Sequence, residues 1–422
     1  MNDLVDRARA VLDGNWTGRH TVPSRKQYPH QWSWDSAFIA LGWRHLDPSR
    51  ARTEMRALLD AQWADGRLPH IVFDPGVPAD AYFPGPAFWR SSTVDGTPPV
   101  ETTGLVQPPV HAWAVWEVHR AAPDLDYLRE VYPRLVAWHR YLTERRDLGG
   151  AGAIAVLHPW ESGMDNSPAW DAPMARIEPV PGIGAHRRDL THGHSAERPT
   201  DDDYGRYIRI AGDYRDGGYV DRPGLAFAVE DPLTTALLAA SESALAEMAA
   251  AIGADPAPHR ARVRELSDAL MTRLYDAEAG LFLHRDLVSG ELIREHTLAG
   301  LAPLVVEDLP VAASLVETAL GERFRIGAAC LPPSYDLTSP KFEPARYWRG
   351  PGWWNTTWLL WRGLRRQRHF EPAADLHEAM LRAVDAVGFR EYVDPHTGSG
   401  HGSTDFSWTA AVVVDILHEP DP

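Results

Sequence analysis

Apolar residues recur at intervals of three and four over twelve stretches of the chain: 4–13, 35–46, 49–64, 109–121, 125–146, 231–252, 257–274, 296–306, 310–320, 353–369, 371–388 and 406–418. That spacing puts them on one face of a helix, and the period-two alternation of strands is scarce, so the pattern predicts an all-α protein. Several of the stretches open where a helix should. Asp47-Pro48-Ser49, Asp231-Pro232, Asp255-Pro256 and Glu371-Pro372 each set an acidic residue beside a proline that suits the first turn.

The links alternate in length. Those at 46–49, 121–125, 252–257, 306–310 and 369–371 are a few residues long, which makes antiparallel neighbours, and the links between the resulting hairpins are much longer. Six hairpins with all long links at one end describe an (α/α)6 barrel. No composition break divides the chain, so residues 1–422 are expected to form one domain with a polar lid loop around 180–225. A solenoid would show a fixed repeat length, and none is visible.

Composition narrows the function. With 42 Lys+Arg against 58 Asp+Glu, the net charge of −16 disfavours a nucleic-acid partner. No run of eighteen apolar residues suggests a membrane span. The single cysteine, Cys330, and a charged N-terminus without a signal-peptide core lead to the expectation of a cytoplasmic protein. A homo-oligomer stays open. The 17 Trp outnumber Phe and Tyr and suggest a binding surface.

The chemically distinctive residues crowd into the long links. They are Tyr28-Pro29-His30-Gln31-Trp32-Ser33-Trp34-Asp35, Tyr82-Phe83-Pro84-Gly85-Pro86, Gln107-Pro108-Pro109, Trp160-Glu161-Ser162-Gly163-Met164-Asp165-Asn166-Ser167-Pro168, Tyr347-Trp348-Arg349-Gly350-Pro351 and Glu391-Tyr392-Val393-Asp394-Pro395. At one mouth of a barrel these would offer flat rings for sugar faces and carboxylates, amides and an Arg for hydroxyls, which is the equipment for a small-molecule glycoside. Glycosidic cleavage needs two carboxyl groups, one as acid and one acting from the opposite face. Asp165 and Glu161 are the candidates for the acid, Glu391 and Asp394 for the base. Asp394-Pro395 with Thr397-Gly398 reads as a turn, which leaves Glu391 the better base. Asp189-Leu190-Thr191-His192-Gly193-His194 and Asp201-Asp202-Asp203 lack metal-ligand spacings, so neither metal nor cofactor is expected. Phosphate-loop and nucleophile-elbow motifs are absent.

Through these segments, with Pro69-His70-Ile71-Val72-Phe73, nearly the whole chain resembles glycoside hydrolase family 63, in particular its bacterial branch of glucosylglycerate and mannosylglycerate hydrolases. The resemblance implies an (α/α)6 fold and an inverting, exo-acting hydrolase that releases terminal α-linked glucose or mannose. By the same similarity Asp165 is the acid, Glu391 the base, and Glu161 binds hydroxyls. It further implies that Tyr28, Trp32, Trp34, Asp35, Tyr82, Gln107, Trp160, Tyr347, Trp348, Arg349 and Trp353 line the sugar pocket. Arg198 and Tyr204 match a glycerate-binding lid. One departure stands out: Phe406 occupies the place before the final Ser-Trp where glucosylglycerate hydrolases carry a Gln that resembles a glycerate contact. The competing readings are an epimerase or isomerase on the same barrel, which would need a proton-carrying His, and a non-catalytic sugar-binding protein.

Overall fold

The computed structural model of the chain describes residues 2–190 and 195–419. Six helical segments form an inner ring: Ser33–Leu46, His111–Ala121, Pro232–Ile252, Leu298–Val305, Trp354–Arg366 and Ser407–His418, each packed on the next and the last on the first. An outer helix follows each of the first five after a short link, namely Pro48–Leu59, Leu125–Arg145, Ala257–Ala269, Ala312–Leu320 and Phe370–Val387. The sixth outer position is taken by Asn2–Asn15 from the other end of the chain, which packs against Ser407–His418. The architecture is thus the (α/α)6 barrel, closed across its two ends.

Inner and outer helices differ as their surroundings require. Ser407–His418 buries Trp408, Ala410, Ala411, Val412, Val413, Val414 and Ile416 around its full circumference, whereas Leu125–Arg145 buries one stripe of Leu128, Val131, Leu135, Trp138 and Leu142. Pro232–Ile252 is long and apolar enough to cross a membrane, but it is a core helix of this ring. The helix-entry signals act as expected: Asp47 accepts the N–H groups of Ser49 and Arg50, and Asp231 those of Leu233 and Thr234.

Three expectations need correction. The third apolar stretch ends as helix at Leu59 rather than 64, and the eighth is a 3-10 segment with Pro303 inside it. The segment read as a lid loop contains a helix, Asp201–Asp216, whose Thr200 and Asp203 form a reciprocal cap. The run Asp201-Asp202-Asp203 is therefore its first turn, where carboxylates meet the positive end of the helix dipole. His192 and His194 lie outside the described residues.

Most tryptophans build the core rather than a surface, with Trp43, Trp89, Trp138, Trp354, Trp358 and Trp361 fully buried. Two- and three-residue strands join the long links at the mouth. Gln31–Trp32 pairs with Ile71–Val72, and Tyr392–Val393 lies between Gly352–Trp353 and Gly400–His401. Each pairing ties links within one half of the chain, and the packing of Ser33–Leu46 on Ser407–His418 brings the two halves together.

Candidate active site

Of the residues singled out in the sequence, a pocket at that mouth brings together Tyr28, Trp32, Trp34, Asp35, Tyr82, Gln107, Trp160, Asp165, Arg198, Tyr204, Tyr347, Trp348 and Glu391. Trp34 and Trp348 meet with ring centroids 6.5 Å apart. Gly163, at φ +72°, passes so close beneath Trp34 that a Cβ would lie 2.5 Å from the ring, which requires glycine at that step before Asp165. Gln107 uses its amide oxygen to accept the Trp34 N–H at 3.1 Å. Among the described residues no side chain donates to the carboxyl of Asp35 or of Asp165, although both line the pocket and Asp35 is buried.

The two principal carboxyl groups are held differently. The Asp165 backbone is fixed by Tyr207, whose hydroxyl donates to its carbonyl at 2.7 Å, and by Asn166, which accepts the Trp348 N–H at 2.9 Å. Burial pushes the Asp165 carboxyl up to about 7, with the negative charges of Glu391 and Asp189 adding to the effect and Arg198 opposing it. Glu391 is also raised by burial, but Arg198, the Ser403 N–H and the Tyr28 hydroxyl favour its ionised form. Tyr28 donates to Glu391 Oε1 at 3.0 Å and the Ser403 N–H to Oε2 at 2.9 Å. Gly402 (φ +65°) backs the same carboxylate, where a Cβ would fall 2.5 Å from Oε2. A carboxyl group pushed toward neutrality beside one held as an acceptor is an arrangement able to give and take a proton.

Three expected pocket residues lie elsewhere. Glu161 is fully buried and bound by Arg146 through both guanidinium nitrogens, at 2.5 and 2.8 Å, while it also accepts the N–H groups of Leu157 and Val106. Its oxygens are committed to the fold, so it has none to offer a sugar. Arg349 grips Asp171 at 2.7 and 3.0 Å and Glu343 at 3.0 Å, bracing the Asp165 loop from behind. Trp353 stacks on the far side of Trp348, 3.9 Å away and nearly parallel, and supports the pocket ring without reaching the cavity. Asp394 accepts the N–H groups of His396 and Thr397 and makes a turn, as its sequence predicts.

The lid contributes more than was legible. Arg198 gives Nε to Asp189 at 3.2 Å and Nη1 to the Tyr28 hydroxyl at 3.0 Å, with its guanidinium 4.2 Å over the Tyr347 ring. Tyr204 donates to the Phe83 carbonyl at 2.7 Å. The sequence reading missed Gln27 and Asp189 as pocket residues, and placed His70, Phe83 and Trp408 only within motifs. Phe406 lies in the wall with its ring edge-on to Tyr28, centroids 5.9 Å apart. Among the described residues His70 is the one histidine of the lining, and burial pushes it down to about 3, so its imidazole is neutral near pH 7.

Residues 28–409 match the profile of the mannosylglycerate hydrolase MGH1-like glycoside hydrolase domain. The chain belongs to this glycoside hydrolase family. A mannosylglycerate hydrolase of Rubrobacter radiotolerans is 41% identical across 99% of this chain and 98% of its own length. A glucosylglycerate hydrolase of Mycolicibacterium hassiacum is 36% identical across 98% and 97%. The solved structure of a family 63 mannosylglycerate hydrolase from Thermus thermophilus, in complex with Tris and D-glycerate, superposes with a TM-score of 0.90 at 39% identity, covering 98% of this chain and 100% of that one. The chain is accordingly a glycoside hydrolase, and the pocket at the barrel mouth is the candidate active site of this family 63 enzyme.

Proposed function

We propose that this family 63 hydrolase releases glucose or mannose from an α-glycoside of glycerate, with inversion, Asp165 acting as general acid and Glu391 as general base. The reading rests on one observation above all. Two carboxyl groups share the pocket, one pushed up to about 7 and without a side-chain donor among the described residues, the other held by Tyr28 and Ser403. Asp165 then protonates the leaving oxygen while Glu391 takes a proton from the attacking water. Asp35 and Gln107 supply hydroxyl contacts, and Trp34 and Trp348 supply faces for the ring. Arg198, the only arginine or lysine among the described lining residues, fits a carboxylate on the aglycone. Phe406 faces the Tyr28 side of the pocket and tilts preference toward a less polar aglycone. The relatives named for these activities support the substrate class. We read the chain as one catalytic domain, cytoplasmic in keeping with its single cysteine.

The test is to incubate the enzyme with mannosylglycerate, glucosylglycerate and the matching glycerol conjugates and to follow the anomeric protons by NMR. Release of the β-sugar first, with a glycerate conjugate preferred, is expected. Initial α-product rejects inversion, and equal use of glycerol conjugates rejects the acidic aglycone. Phe406→Gln should raise the glycerate conjugate over the glycerol one.

A further inference from the structure

We propose that Asp189 is a positioning residue that aims Arg198 at the aglycone and so sets the preference for a carboxylate-bearing leaving group. The inference rests on the acidic-aglycone reading above and deepens it.

A free arginine on a lid would sample many rotamers and would meet a carboxylate in few of them. Here the guanidinium of Arg198 is confined on three sides. Asp189 holds Nε at 3.2 Å, the Tyr28 hydroxyl accepts from Nη1 at 3.0 Å, and the Tyr347 ring lies flat beneath at 4.2 Å. These bonds use two of the five N–H donors, and Nη2 has no hydrogen-bond partner among the described residues. The end of the fork away from Asp189 is therefore the part left for a ligand, in a fixed plane.

Asp189 is itself held. Arg187 donates to both of its oxygens, at 3.0 and 2.6 Å, and is anchored in turn by the Pro199 carbonyl at 2.8 Å and by Asp201 at 3.0 Å. The Arg187 guanidinium also lies 4.6 Å over the Tyr204 ring. The chain of contacts thus runs from the lid helix through Arg187 and Asp189 to Arg198. The charges are consistent with the role: Arg187, paired with both Asp189 and Asp201, leaves Asp189 only its Nε contact with Arg198, whose guanidinium is the one cationic group among the described lining residues. A simple lid staple would not need its carboxylate inside the pocket or its contact restricted to Nε.

The experiment compares a glycerate conjugate with the glycerol conjugate of the same sugar, which differs only by the carboxylate, in wild type, Asp189→Asn, Asp189→Glu and Arg198→Ala. Asp189→Asn is expected to lower kcat/KM for the glycerate conjugate about tenfold more than for the glycerol conjugate, with that excess appearing in KM. Asp189→Glu, which keeps the charge, is expected to recover most of the loss. Equal losses on both conjugates, no change in KM, or an Asp189→Glu as impaired as Asp189→Asn would each overturn the proposal. If Arg198→Ala fails to separate the two conjugates, the acidic-aglycone reading itself falls. If Arg198→Ala separates them and Asp189→Asn does not, only the positioning role falls. Asp189→Ser supplies a second neutral side chain should the Asn variant lack a cooperative melt. If neither folds, Asp189 is structural and the proposal is wrong.

Discussion

Replacing Tyr28 by Phe removes the hydrogen bond its hydroxyl gives to Glu391 together with the one it accepts from Arg198. The ring keeps its edge contacts with Trp32 and Phe406, at centroid distances of 5.3 and 5.9 Å. The hydroxyl that donates to Glu391 Oε1 at 3.0 Å is lost, while the Ser403 N–H still serves Oε2. A hydrogen bond to a charged group contributes about 1.5–3 kcal/mol. Where that bond favours the ionised form, its loss makes Glu391 harder to ionise, and every 1.4 kcal/mol or so carries its titration upward by about one pH unit. The sign follows from the role: a base must be ionised, so the acidic limb of the kcat/KM profile moves toward neutral pH. Activity at a fixed pH on that limb falls about tenfold for each pH unit the limb travels, so the loss there is about 10- to 100-fold and smaller near the optimum. With Asp165, pushed up to about 7, as the proposed acid on the opposite limb, the bell narrows mainly from the acid side. The assay is kcat/KM for a glycerate conjugate across the range from acid to mildly alkaline pH, with thermal melts at each end. A uniform loss with both limbs in place would refute the reasoning and confine Tyr28 to substrate binding.

Asp165→Asn and Glu391→Gln should each lower kcat by at least about 10²- to 10⁴-fold and leave sugar binding, read by tryptophan fluorescence, within a few-fold of wild type; turnover close to normal in either variant rejects that role. Glu161→Gln should act on stability instead. It breaks an ion pair of two fully buried side chains, a change worth about 3–5 kcal/mol, so urea unfolding should show the loss while kcat of the folded enzyme stays within a few-fold.

How far the sequence carries can be argued from particular residues. Helices whose apolar faces are aliphatic, such as Leu125–Arg145, announce themselves because burial enforces a 3.6-residue period. Asp201–Asp216 escaped because its buried face is built mainly of Tyr204, Tyr207, Ile208, Ala211 and Tyr214 among acidic and basic neighbours that read as solvated chain. The Thr200–Asp203 cap was the signal that could have found it. In the site, the residues carried by the two halves of the mouth were legible as motifs. The fates of Glu161 and Arg349 were not, since each is decided by a partner, Arg146 or Asp171, that only the fold brings within reach. A motif records which side chains are near the site and is silent on which way they face. Trp348 and Trp353 lie in the same link, yet one forms the wall and the other stands behind it.

The closure of the ring has a consequence for the order in which the enzyme comes into being. Ser33–Leu46 packs on Ser407–His418, and Asn15 reaches across to the Asp405 carbonyl at 2.8 Å and the Ser407 hydroxyl at 2.9 Å. The buried Arg44 binds Asp415 and Glu419 in the same seam. Tyr28 and Asp35 come from the first side of that seam and Glu391 from the last, so Glu391 and its Tyr28 donor meet only when the seam shuts. During synthesis, which proceeds from the N-terminus, five inner helices can assemble while the sixth place stands open and lined with apolar side chains. Through that interval the growing chain has a growing hydrophobic core and no catalytic centre. The last inner helix and the loop before it supply what both lack, which makes activity a direct readout of completed folding.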